Sequence, residues 1–186
     1  MDRTDEQLVA DYCDLHREEA ANELVKRHLP MVRRLVYSMV LNDAIADDLT
    51  QDVLLRSIRG LKRFRRDAKF STWITRIAIN TTHTHLGRKV RHEEFVDPLS
   101  VEPSYDVSPE HAAIGHELDA QIRESLEQLT PKLRAAIVLT SIQGVSSAEA
   151  AEIEDCSVST MHWRVHEARK QLRKYLKEYL TECEGK

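Results

Sequence analysis

SSAEAAEIEDCSVSTMHWRVHEARKQL, residues 146–172, reads as a short helix, a tight turn and a longer helix. Ser146 can accept from the amide of Glu149 and Glu149 can reach back to Ser146, a capping box that opens the first helix. The apolar run ends at Ile153, Glu154-Asp155-Cys156 makes the turn, and Ser157 caps the second helix. Together they form a helix-turn-helix pattern, whose second helix typically enters the major groove. Any two packed helices give a similar periodicity, so the decision rests on what the second helix presents.

At about 100° per residue, Val158, Met161, Val165, Ala168 and Leu172 share one stripe, the expected core face. Trp163 falls nearly opposite, among Ser159, Thr160, Glu167 and Lys170, with Arg164 on one flank and His162 and His166 on the other. A tryptophan away from the core marks a contact surface, since large apolar groups are withdrawn from water unless they touch something. His162 and His166 stand four apart, a spacing at which two imidazoles can share a metal ion. Zinc needs further ligands and none follows nearby, so exposed histidines beside phosphates are the favoured reading and no metal is assigned. His83 and His85, two apart on a helix, point in different directions.

Working back toward the N-terminus, Thr130-Pro131 pairs an N-cap with a proline at the first helical position. Leu133, Ile137, Val138 and Ile142 then lead to Gly144 as the stop. Ser108-Pro109 repeats the start signal before Leu118, Ile122, Leu126 and Leu129. From His92 to Ser108 the chain has Pro98, Pro103, many acids and no helical period, which reads as a linker. Before it, Ser71 is the expected cap of a long helix turning Ile74, Ile77, Ala78 and Thr81 inward. The loop LKRFRRDAKF, 61–70, is dense in positive charge and holds two phenylalanines. Asn42-Asp43 is a turn, after which Ile45, Leu49, Val53 and Ile58 keep one face apolar until Gly60 closes the helix. Pro30 is expected to start, end or bend a helix carrying Leu24, Val25, His28, Val32, Leu35, Val36 and Met39. Thr4 and Gln7 form a capping box on the first helix.

Composition agrees with an all-α chain of two small helical units: 186 residues contain only 5 Gly and 5 Pro, and aromatics make up 5%. No stretch is apolar enough to span a bilayer, and MDRTDEQLVADYC carries acids where a secretory signal needs a basic start, so a cytosolic protein is expected. Cys13, Cys156 and Cys183 are far apart and odd in number, which gives neither a disulfide framework nor a zinc knuckle. Net charge is −4, but it is segregated. Residues 54–91 hold 11 bases against 1 acid, and 161–177 hold 6 against 1. Between them, 92–131 holds 10 acids against 1 base. Two basic blocks parted by acid favour a two-site binder of polyanions over plain solvated helix faces. No Ser/His/Asp, Cys/His or paired-carboxylate constellation and no Gly-rich phosphate loop is readable, so no catalytic residue, cofactor or enzymatic activity is expected.

Two stretches, AIADDLTQDVLLRSIRGLKRFRRDAKFSTWITRIAIN (44–80) and LEQLTPKLRAAIVLTSIQGVSSAEAAEIEDCSVSTMHWRVHEARKQL (126–172), resemble the extracytoplasmic-function (ECF) sigma factors of bacterial RNA polymerase, in the sigma-70 family. With the first helices and the final turns, the resemblance covers nearly the whole chain outside the linker. It implies an all-α fold of two small domains: a region 2 domain at 1–91, a flexible acidic linker at 92–108, and at 109–186 a region 4 domain, a winged-helix-like helix-turn-helix of four helices. It implies binding of core RNA polymerase, promoter-specific initiation and no membrane insertion, in the bacterial cytoplasm at the nucleoid. Asp48, Gln51 and Asp52 would dock on the clamp helices of the β′ subunit, with the β subunit also contacted. Lys62, Arg63, Phe64, Arg65 and Arg66 would recognise and open the minus-ten element, Phe64 helping to form a pocket for a flipped base, with Trp73, Arg76 and Asn80 at its upstream edge. The core is the alternative place for Phe70 and Trp73, evenly balanced against DNA contact for Trp73. Thr160, His162, Trp163, Arg164 and His166 would read the minus-thirty-five element, while Arg169 and Lys170 serve phosphates. Arg164 is the choice for direct base readout, because its fork can pair with a guanine edge.

Many relatives have Lys or Arg at the position of His162 and a small residue at that of Trp163, so the promoter sequence does not carry over. Fewer aromatics than in the wider sigma family imply weaker melting and stricter dependence on promoter sequence. The short ends imply none of the extra domains of housekeeping sigma factors, and an anti-sigma protein is the expected regulator. Two other readings stay open: a helix-turn-helix regulator acting without core polymerase, and an interaction module or metal-regulated adaptor using the histidine pairs.

Overall fold

A computed structural model describes the backbone of residues 3–93 and 113–184 and the side chains of 3–88 and 120–176. Within them the chain is helical, without strands. Helix α1, Asp5–Leu15, opens on a closed capping box: the Gln7 amide donates to Thr4 Oγ1 at 3.3 Å and the Thr4 amide to Gln7 Oε1 at 2.9 Å. Helix α2, Glu18–Val40, runs through Pro30 without ending there. A proline inside a helix costs about 3 kcal/mol. That cost is offset by a stripe on both sides of it, since Leu24, His28, Val32, Leu35, Val36 and Met39 are all buried.

Helix α3, Asp43–Gly60, is capped by Asn42, whose side chain accepts from the Ile45 amide at 3.0 Å. Its buried line is Ala46, Thr50, Val53, Leu54 and Ser57, while Ile45, Leu49 and Ile58 are half-buried, so the inward face is rotated from the expected one. Small side chains at 46, 50 and 57 let α3 lie close against α2. Gly60 is not a left-handed stop, because its φ is −83° and the chain continues into a 3-10 turn, Leu61–Arg63. Instead Gly60 makes room: a Cβ there would stand 3.1 Å from Trp73 Cζ2. Helix α4, Phe70–Glu93, starts one residue before Ser71, which therefore lies in its first turn and is not the cap. Ile74, Ala78 and Thr81 are buried as expected, joined by Thr75, Ile79 and Thr82. The linker read from residue 92 begins inside α4, and the rest of it, with the Ser108-Pro109 start signal, lies outside the described residues.

The C-terminal half comprises α5 (Ala113–Glu127), α6 (Pro131–Ile137) drawn out into a π-helical turn (Val138–Ile142), α7 (Ser147–Ile153) and α8 (Val158–Glu184). Gly144, at φ 69°, takes the left-handed conformation that ends the π turn, and Asp155, at φ 49°, makes the turn between α7 and α8. Ser157 Oγ accepts from the Thr160 amide at 3.1 Å, the expected cap. Ser146 likewise caps α7, but the box stays half open because the Glu149 carboxylate accepts from Thr72 Oγ1 of α4. Met161, Val165 and Ala168 are buried, whereas Val158, expected on the same stripe, is 44% exposed. It stands at the first turn of α8, on the wall of an open cleft with Ala148, Ala151 and Cys156. Ile122 and Ile142 are also exposed, lining a second cleft with Tyr37 and Leu41 of the other half.

Arg134 ties the halves together from the inside. Its guanidinium donates to four main-chain carbonyls: Leu126 and Glu127 at 2.9 Å, Leu129 at 3.3 Å and Met39 at 2.6 Å. Most belong to the last turns of α5 and α2, where carbonyls have no partner in their own helix and carry the negative end of the helix dipole. Burial pushes Arg134 below the ordinary guanidinium range, with the nearby Glu127 charge opposing.

Candidate nucleic-acid interface

The loop after α3 divides its side chains by chemistry. Lys62, Arg63, Arg65 and Arg66 are exposed, and Arg66, in a left-handed conformation at φ 62°, donates to the Asp14 carboxylate of α1 at 3.2 Å. That hydrogen bond raises its guanidinium above the ordinary value. Phe64 turns back onto the helices, with its ring 6.0 Å from Phe70 and 5.0 Å from Trp73, while Phe70 and Trp73 lie 5.6 Å apart. His28 closes the cluster against Phe70 at 5.0 Å. Phe70 is buried, and Trp73 is half-buried, packed on Gly60 and Phe64. The structure thus joins Phe64 and Trp73 but separates them from Arg76 and Asn80, which face the cleft against α7.

On α3, Asp48 and Gln51 are exposed, and Asp52 pairs with Arg56 at 2.8 Å. Asp43 and Asp47 are held by Arg33 of α2 at 3.0 and 2.7 Å. Leu55, 51% exposed, continues the line of Asp48 and Gln51. The sequence reading missed it, although its spacing from Asp48 and Gln51, seven and four residues, was the available signal.

On α8, Trp163 is 61% exposed, with His162, His166, Arg169 and Lys170 exposed around it. Lys170 pairs loosely with Glu167 at 3.7 Å, and Glu167 is held below the usual carboxylate range mainly by its hydrogen bond from Gln171. Thr160 is half-buried, its hydroxyl 2.8 Å from Ser157 Oγ. Arg164 departs from the outward face. Its side chain is 12% exposed and donates to Glu154 Oε2 at 2.9 Å, and the Glu154 side chain is itself 4% exposed. Among the described residues no group of three or more His, Cys, Asp or Glu is placed to hold a metal ion, and no helix is long and apolar enough to cross a membrane.

Two family models match this architecture: sigma-70 region 2 over residues 24–92 and sigma-70 region 4 over 119–172. The ECF RNA polymerase sigma-E factor of Escherichia coli is 30% identical over 176 residues, covering 90% of this chain and 92% of that protein. This chain belongs to the ECF sigma factors. The RNA polymerase sigma-H factor of Pseudomonas aeruginosa is 30% identical, covering 89% of this sigma factor and 91% of its own length. The ECF sigma factor SigE of Mycolicibacterium smegmatis is 32% identical over 87% of this chain, which spans 63% of that longer relative. Among solved structures, CnrH in complex with the cytosolic domain of CnrY superposes with a TM-score of 0.70 at 26% identity, covering 94% of this chain and 97% of CnrH. The sigma factor RpoE of Bartonella quintana, solved with the anti-sigma factor NepR, shares the fold at a TM-score of 0.71 and 24% identity, over 84% of this chain and 96% of RpoE. In this sigma factor, region 2 therefore includes the acidic face of α3 and the basic loop, and region 4 includes the helix-turn-helix.

Proposed function

We propose that this sigma factor binds core RNA polymerase, directs it to one class of promoter and helps to open the duplex, with no enzymatic step of its own. The observation that carries the proposal is the outer face of α8: Trp163, 61% exposed, set among His162, His166, Arg169 and Lys170 on the second helix of a helix-turn-helix. Such a face offers cations to phosphates and an apolar surface to base edges such as the thymine methyl. Residues 1–91 act as the polymerase-binding and minus-ten unit, 92–108 as the acidic connector and 109–186 as the minus-thirty-five unit. Asp48, Gln51 and Asp52 contact the β′ clamp helices, and Leu55 supplies the apolar anchor that an interface centre needs. Lys62, Arg63 and Arg65 hold phosphates of the opening strand, and Phe64 leaves the Trp73 cluster to stack on a displaced base. The site of action is the bacterial cytoplasm, on the nucleoid, under an anti-sigma protein.

Run-off transcription with purified core polymerase tests the proposal, on fragments chosen by mapping transcription starts after controlled overexpression. Promoter-specific transcripts are expected. Their absence on every mapped fragment, with duplex binding intact, would leave the helix-turn-helix regulator that needs no polymerase. Asp48→Lys should weaken capture by core polymerase while helical content is unchanged; full capture would remove α3 from the interface.

A further inference from the structure

The last turn of α1 grips the basic loop at two places. Cys13 Sγ donates to the Leu61 carbonyl at 3.5 Å, the same oxygen that accepts from the Phe64 amide at 3.1 Å and closes the 3-10 turn. Arg66 Nη2 donates to both oxygens of Asp14, at 3.3 and 3.2 Å. Asp14 does nothing for its own helix: it lies in the final turn, where the helix dipole disfavours an acid and no basic residue offsets it. Arg66 holds φ at 62° where the chain bends between Phe64 and Phe70. An L side chain other than Asn or Asp seldom enters this left-handed region, because its Cβ crowds the backbone carbonyl, and it stays there only where the surroundings hold it. His16 and Leu41, also left-handed, end helices and donate their amides to the turn before. Arg66 ends no helix, and the grip of its side chain on Asp14 takes that place.

Arg66 thereby parts company with Lys62, Arg63 and Arg65 of the same loop, since its charge is committed to α1. The chain from these cations to Phe70 runs through this one bend, so its hand sets where Phe64, two residues earlier, stands relative to Trp73 and to a displaced base. We propose that Asp14 is a positioning residue for promoter opening: it locks Arg66 in the left-handed bend that presents Phe64 and the neighbouring cations, and Arg66 serves as the latch and not as a phosphate contact. The inference rests on the reading of residues 61–70 as the melting segment. The Arg66 and Asp14 side chains are 45% and 60% exposed, so the effect is modest and weakens as salt rises.

The test separates opening from binding, using the full chain with core polymerase on a mapped promoter fragment. Opening is followed by the permanganate reactivity of thymines in the minus-ten element, and promoter capture by gel shift at a temperature too low for opening. Asp14→Ala should slow opening roughly threefold, the size expected of one exposed ion pair, and leave capture unchanged. Arg66→Ala should slow it as much. Arg66→Gly, whose backbone enters the left-handed region freely, should open roughly threefold faster than Arg66→Ala. Asp14→Ala added to Arg66→Gly should have no further effect, since nothing is left to latch. Equal opening by Arg66→Gly and Arg66→Ala, or a wild-type rate for Asp14→Ala, overturns the inference. So does a further loss in the double variant. If Lys62→Ala, Arg63→Ala and Arg65→Ala together leave opening at the wild-type rate, the melting-segment reading falls and the latch with it.

Discussion

The basic loop of the N-terminal half and the outer face of α8 use the same residue types in opposite ways. In the loop the cations face solvent and the aromatic turns inward, since Phe64 and Trp73 stack with Phe70 against His28. On α8 the aromatic faces solvent and one cation turns inward, since Trp163 is exposed and Arg164 is sequestered by Glu154. Burial follows what each side chain finds within reach. Trp73 has an aromatic cluster and the bare backbone of Gly60 to pack on, while Trp163 has polar neighbours on a helix whose apolar stripe lies on the other side.

The largest expected effect is at the joint on which both arrangements hang. Arg134→Leu strands buried carbonyls of both halves and should cost about 3–5 kcal/mol in chemical denaturation, with loss of a single cooperative transition. Trp73→Ala, removing the centre of the inward cluster, should cost about 2–4 kcal/mol by the same measurement. A value near zero would mean that the cluster is surface decoration and that Trp73 resembles Trp163 after all. Gly60→Ala gains helix propensity but drives a methyl toward a ring held between Phe64 and Phe70, so a net loss of about 1 kcal/mol is expected. A gain would show that the ring can shift. Smallest of all in stability is Trp163→Ala, within about 0.5 kcal/mol of wild type, while binding to a duplex with the upstream element should fall about tenfold. Loss of stability without loss of binding would make Trp163 a packing residue.

The elements whose start signals are local were readable directly. Thr4 and Ser157 each cap the helix that follows within three residues, Thr130-Pro131 opens α6, and Asn42, read as a turn, proves to cap α3 as well. Where a side chain had both a local and a distant partner, local reasoning failed. Glu149 leaves its capping box for Thr72, Arg164 leaves the outward face for Glu154, and Gly60 answers to Trp73 and not to the end of its helix. Val158 fits the helical period but stands where the turn leaves the stripe uncovered. Arg134 gave no local signal, because a buried guanidinium is defined only by what surrounds it, whereas Leu55 had one in its spacing from Asp48 and Gln51.

By itself the sequence determined the helices, most of their start signals, the segregation of charge and the motifs of a two-part sigma factor, because each depends on residues a turn or two apart. Only the tertiary structure decided that Arg134 bridges four carbonyls, that Phe64 and Trp73 share one cluster, and that Glu154 holds α4 to α8. Hydrogen-bonding groups buried between distant helices take whichever partner the packing brings near. Distances along the chain, 95 residues between Arg134 and Met39 and 71 between His83 and Glu154, carry no record of that choice.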